Sequence, residues 1–203
     1  MKILNKITVS LLVASSLIHA DLSVDSIGLN AGSSQINTKQ TNLVGSITLA
    51  NEPDAQYIHG ELYALIGGFF EDKSYKPSVH YMLSKNSEFT NHLFMAGINK
   101  YFLFEDYHLY AGLLVGQGIL NWKYNPISGT NDNDKNLQSI VGALQVGAEY
   151  KVTEHFSLGV NAKYYLHDYQ TVLEPSIGAS ADINHNSSSS ISLGMRYSFN
   201  LDK

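Results

Sequence analysis

The closing segment constrains the fold of this chain more than any other stretch. From Ile191 to Leu201, apolar side chains take every second position: Ile191, Leu193, Met195, Tyr197, Phe199 and Leu201. Between them stand Ser192, Gly194, Arg196, Ser198 and Asn200. Successive side chains of a strand point to opposite faces, so this rhythm gives one wholly apolar face and one small, polar or charged face. A helix would scatter the same residues around its circumference. The segment reads as a strand with two unlike surroundings, and the rest of the fold has to supply both.

Residues 142–166 repeat the pattern as a pair. Leu144, Val146, Ala148 and Tyr150 oppose Ala143, Gln145, Gly147 and Glu149. A short connection at Lys151–His155 follows, and then Phe156, Leu158, Val160, Ala162, Tyr164 and Leu166 oppose Ser157, Gly159, Asn161, Lys163 and Tyr165. Both strands keep their charged mid-strand residue off the apolar face, as expected of a hairpin with one lipid face and one lumen face.

Earlier segments extend the series. Ser26–Ser33 and Thr41–Ala50 read as strands with Ile27, Leu29 and Ala31, then Leu43, Ile47 and Leu49, outward. In Gln56–Phe70, His59 and Glu61 set the inner face and put Ile58, Leu62, Ala64 and Ile66 outward. In His92–Phe102, Asn99 inward leaves Phe94, Ala96 and Ile98 outward. In Tyr107–Tyr124, Gln117, Asn121 and Lys123 mark the lumen, so Tyr110, Leu114, Leu120, Trp122 and Tyr124 are expected outward, with aromatics near both ends as an interfacial girdle requires.

Connections at 51–55, 103–106 and 151–155 are short, whereas 34–40, 71–90, 124–136 and 168–188 are longer and polar. Eight strands with short turns on one rim and longer loops on the other make a closed antiparallel transmembrane β-barrel, all-β, with both termini periplasmic. Alternation around Val79–Leu83 leaves room for a further hairpin within the second loop.

The first twenty residues stand apart. Lys2 and Lys6 precede an apolar run, Ile7–Ile18, and Ala20 closes a small-residue cleavage site, the pattern of a signal peptide cut after Ala20. The domains are therefore 1–20, a leader, and 21–203, the barrel. The run is short for a spanning helix, which needs ~20 apolar residues. With no cysteine among 203 residues, no disulfide can form, so an exported chain must draw its stability from a closed hydrogen-bond ladder. Only 15% of residues are charged and the net charge is -5, with no basic patch suited to nucleic acid.

Gly147–Tyr150, a short turn and Phe156–Gly159 resemble the periplasmic hairpins of small outer-membrane barrels: the outer-membrane protein A membrane domain, outer-membrane protein X and the opacity-type surface antigens. The closing strand resembles the terminal signal read by the barrel assembly machinery, although Asn200–Lys203 follow Phe199 where relatives usually end on the aromatic residue. The resemblance implies a Gram-negative outer membrane, contact with its lipid and lipopolysaccharide, and no cofactor.

Glu61, Glu149, Lys163 and Arg196 are the charges expected in the lumen, where a bore of eight strands is just wide enough for side chains to fill. Read blandly they form a network that plugs the bore with Tyr57, Tyr63, Tyr101 and Tyr165; read sharply they line a narrow, porin-like channel. His80, His167, His185, Ser187–Ser190, Glu174 and Asp182 supply residue types for a lipid-modifying enzyme without a recognisable arrangement. Asp132-Asn133-Asp134 lacks the later bidentate Glu of a calcium loop, and no metal or catalytic site is expected. A water-soluble lipocalin-like barrel, the rival fold, would invert the faces. The function expected is that of a non-enzymatic surface barrel with an envelope-structural, adhesion or surface-antigen role, which meets host or surface ligands at 71–90 and 168–188.

Overall fold

The computed structural model describes residues 23–44, 47–51, 55–87, 89–122, 135–176 and 178–199; the leader, the Asp132–Asp134 segment, Lys123, Tyr124 and the tail after Phe199 lie outside the described residues. The strands are β1 (Ser23–Val44), β2 (Ile47–Asn51), β3 (Ala55–Gly67), β4 (Tyr75–Lys85), β5 (Phe89–Leu103), β6 (Tyr107–Trp122), β7 (Lys135–Lys151), β8 (Phe156–Ser176) and β9 (Ala179–Ser198). From β3 on, each pairs antiparallel with the next, and β9 returns to pair β1 from Ser26↔Ser198 to Val44↔Ala179. On the other side of β1, Gln40 faces Asn51 of β2 and Ile36 faces Ala55 of β3. β2 and β3 are therefore two segments of one barrel strand, and the closed antiparallel barrel has eight strands.

Side chains finish the short turns. The Thr153 hydroxyl accepts from the amides of Phe156 (3.0 Å) and His155 (3.3 Å), and Asn86 Oδ1 accepts from the Phe89 amide (2.8 Å). Both take up donors that the ladder leaves at a strand end.

An apolar belt surrounds the half of the barrel nearest the termini. Ile191, Leu193, Met195, Tyr197 and Phe199 are exposed, Leu193 at 70%, and so are Leu144, Val146, Tyr150, Leu158, Val160, Leu62 and Phe94. Phe69, Phe70, Tyr75, Phe102, Phe104 and Tyr107 gather at the terminus-side rim as one aromatic girdle. In water this much exposed apolar surface would drive association; in hydrocarbon it has no such cost.

Above the belt the polarity inverts. Ile36, Tyr57, Phe89, Leu120, Trp122, Tyr169, Ala181 and Ile183 point inward and pack as one cluster. The outward side at this level presents Asn37, Lys39, Gln56, Gln138, Asp168, Gln170 and Asn186. The same strands thus read apolar-out below and apolar-in above, as water-soluble sheets do.

This inversion accounts for the departures from expectation. β6 faces the opposite way to the sequence reading: Tyr110, Leu114, Leu120 and Trp122 are buried in the bore, while Leu109, Leu113 and Val115 are exposed. Gln117, taken as a lumen marker, lies outward, where its amide reaches Gln138 (3.3 Å). The spans 71–90 and 168–188 are not loops: β4 fills most of the first, and β8 and β9 run through nearly all of the second, meeting across Gly178 with φ +82°. Residues 34–40 belong to β1, which joins the expected strands at 26–33 and 41–44. Val44 pairs with Ile47, and Asn51 and Ala55 both lie against β1, so Asn51 and Ala55 belong to one barrel strand rather than flanking a rim turn. The count of eight survives because two expected strands partly merged while β4, in the Val79–Leu83 region, was added.

Candidate functional site

The terminus-side half of the bore is polar. Asn30 of β1, Glu61 of β3, His80 of β4 and Lys163 of β8 converge on one centre. Asn30 donates to Glu61 Oε2 at 2.6 Å, and His80 Nδ1 lies 2.8 Å from Oε1, which also accepts from the Lys163 ammonium. The Glu61 and Lys163 side chains are each about 1% exposed. The second centre lies nearer the termini. Arg196 of β9 donates through Nε to Glu149 Oε2 at 2.9 Å, forms an ion pair with it through Nη2 at 2.9 Å, and donates through Nη1 to Ser198 and through Nη2 to His108 Nδ1 at 3.4 Å. Tyr63 bridges the two, stacked on His80 with centroids 5.5 Å apart and donating to Glu149 Oε1 at 3.4 Å. Each carboxylate therefore has a cation and further donors, the condition under which charges persist out of water.

The four charges of the sequence reading thus fall into two pairs, Glu61–Lys163 and Glu149–Arg196. Sequence reasoning did not place Asn30, His80 or His108 in this network. Asn30 carried a signal, since it alternates with outward Leu29 and Ala31; His80 did not, because it lay in a presumed loop.

Little space is left between these groups. The hollow lined by Asn30, Tyr63, Tyr110, Glu149, Asn161 and Arg196 measures about 10 Å³, as does its neighbour beside His80, Asn99 and Gln145. Each fits about one water. Farther up, Met82, Leu93, Met95, Leu114, Val141, Ala143 and Tyr165 pack together, and the aromatic cluster of the loop-side half follows. Gly118 marks how tightly that half closes: a Cβ there would stand 1.6 Å from the Tyr169 hydroxyl.

The residue types considered for an enzyme come partly together. His167 Nδ1 donates to the His185 carbonyl (3.0 Å), which leaves Nε2 to accept from Ser188 Oγ (3.1 Å). A serine–histidine contact is present, but the orienting group is a backbone carbonyl rather than an acid, and Ser188 is buried. Asp182 points outward and His80 belongs to the Glu61 centre. The other described histidines serve other partners: His59 with Ser34 (2.8 Å), His92 with Tyr81 (2.9 Å), His155 with the Ser198 carbonyl (2.8 Å) and His185 with Thr38 (2.8 Å).

Outside the belt, Asp72 sits in the turn between β3 and β4. Its Oδ1 accepts from the Ser74 amide (2.9 Å) and hydroxyl, and its Oδ2 from Lys100 (3.1 Å). These hydrogen bonds, those from Ser74 foremost, hold its pKa down at about 2.

A closed eight-stranded antiparallel barrel with an apolar belt, an aromatic girdle and an ion-paired bore is the fold of the small outer-membrane barrels. Among solved structures, the chain is similar to neisserial surface protein A (TM-score 0.56, 17% identity, covering 85% of this chain and 97% of that one). It is also similar to the attachment invasion locus protein of Yersinia pestis crystallised with a heparin analogue (0.46, 12%, 86% and 100%) and to the Escherichia coli outer-membrane protease OmpT (0.43, 10%, 90% and 99%). At 17% identity the likeness to neisserial surface protein A defines the fold alone. No protein-family model matches the chain, and no curated protein matches it by sequence.

Proposed function

We propose that this chain is an outer-membrane barrel with an occluded bore, which acts through the barrel extension on the rim opposite its termini rather than through transport or catalysis. The observation that carries this reading is the polarity inversion. Side chains that turn apolar-out at one height and apolar-in above it suit a barrel half in lipid and half in water, closed inside by aromatics. The leader of residues 1–20 is removed during export, both termini are periplasmic, and β1–β2 and β8–β9 project from the cell. At their tip Leu43, Val44 and Ile47 are exposed above the belt, and apolar residues exposed in water suit contact with a host or neighbouring surface. Neisserial surface protein A shares the fold and is, by its name, a surface protein.

Planar-bilayer recording tests the occluded bore: silence is expected, and steady large openings would refute it. Lipid A mass spectra from a deletion strain test the enzyme reading. An acyl change that complementation with a Ser188→Ala variant fails to restore would overturn the non-enzymatic assignment.

A further inference from the structure

The belt is not evenly convex. Across β4–β7 its outward row passes through two alanines, Ala96 and Ala111, with the backbone of Gly97 and Gly112 beneath. Ile98, Leu113, Leu144 and Val146 stand around them and border a broad, open apolar hollow of about 840 Å³. The hollow opens toward lipid, and its terminus-side end carries the only charged residue in its lining, Lys100. The Lys100 ammonium lies 3.9 Å from the centroid of the Tyr75 ring, which lines the same end, and 3.1 Å from Asp72 Oδ2. Asp72 stands beyond it in the turn, more than half exposed.

We propose that this hollow seats one acyl chain of a zwitterionic, amine-bearing phospholipid of the phosphatidylethanolamine class from the terminus-side leaflet. The headgroup phosphate then meets Lys100, and its primary amine meets Asp72. This deepens the membrane reading above and rests on it. An ammonium has three donors, of which Asp72 and Ser74 engage two. A cation at the mouth of an apolar slot with an anion just outside it matches a lipid whose negative phosphate lies at the glycerol and whose positive amine lies farther out. A purely anionic headgroup would satisfy Lys100 and be repelled by Asp72.

The test uses the chain expressed with its own leader, extracted gently from membranes and examined by native mass spectrometry, with heat-modifiable gel mobility as the measure of insertion and folding. Wild type is expected to retain one phosphatidylethanolamine per barrel in preference to phosphatidylglycerol. An Ala96→Leu/Ala111→Leu double variant, which fills the hollow from outside, should lose at least five-fold in retention while still shifting on the gel. Asp72→Asn should keep a lipid but move the preference toward phosphatidylglycerol at least three-fold. Equal retention by the filled variant, indifference to headgroup, or a two-chain species that Ala111→Leu abolishes would overturn the seat. A chain that inserts without retaining lipid defeats this proposal alone; a chain that fails to insert defeats the membrane reading and the seat with it.

Discussion

The pair Glu61–Lys163 offers the sharpest measure of whether the bore is dry. Replacing Lys163 by Met keeps most of the side-chain volume and removes the charge. Glu61 then stays buried, with Asn30 and His80 as its hydrogen-bond partners among the described residues. Stranding one member of a buried pair costs about 3–5 kcal/mol, against ~0.2–1 kcal/mol for a pair in water. At about 1.4 kcal/mol per tenfold, the dry bore predicts a loss of two to nearly four powers of ten in the folding equilibrium. With both side chains about 1% exposed, the larger figure applies. The assay is urea unfolding of the barrel in lipid vesicles, followed by gel mobility. Glu61→Gln combined with Lys163→Met should recover most of the loss, because neither partner then strands a charge, and the cycle isolates their coupling. A single-variant loss below about 1 kcal/mol would mean that water reaches the pair and that the bore is a wet channel.

Other substitutions probe the remaining levels of the barrel. Leu193→Arg, mid-belt, should cost about 2–4 kcal/mol in vesicles, whereas Gln170→Arg, outward but above the belt, should cost less than ~1 kcal/mol; equal costs would misplace the membrane. Tyr165→Ala and Tyr169→Ala, each removing a fully buried ring, should lose about 3–5 kcal/mol, and together they should make a silent barrel conduct. Because the folded-state pKa of Asp72 is depressed to about 2, the order that its hydrogen bonds give the β3–β4 turn is present above the usual carboxylate range. That order is lost as pH falls toward 2. Ser74→Ala should raise the pKa toward 3.8, and NMR titration of the carboxyl would show it. N-terminal sequencing of the exported protein should begin at Asp21; a retained Met1 would refute the leader.

Strand segments that lie wholly within the belt could be read from the chain alone. Residues 142–166 and 191–199 alternate in one sense throughout, because lipid outside and a polar bore inside are the only surroundings they meet, and two-residue periodicity is a local property. The inward pairing of His59 and Glu61 was legible for the same reason. What the chain could not declare was height. In β6, Leu120 and Trp122 are as apolar as Leu113, yet they point the other way, because at their level the outside is water. The β8–β9 hairpin above Leu166 carries Asn, Ser, His and Asp between its inward apolar residues, and so has the composition of a loop until its outward face is known to be wet. Nor could separate strands say which cation serves which carboxylate: Lys163 reaches Glu61 across a sequence gap of 102 residues. Only closure of the barrel, with β1 fixed against β9 and every strand staggered by its neighbours, sets the level of each residue. That level decides whether its surroundings are hydrocarbon, water or another buried charge.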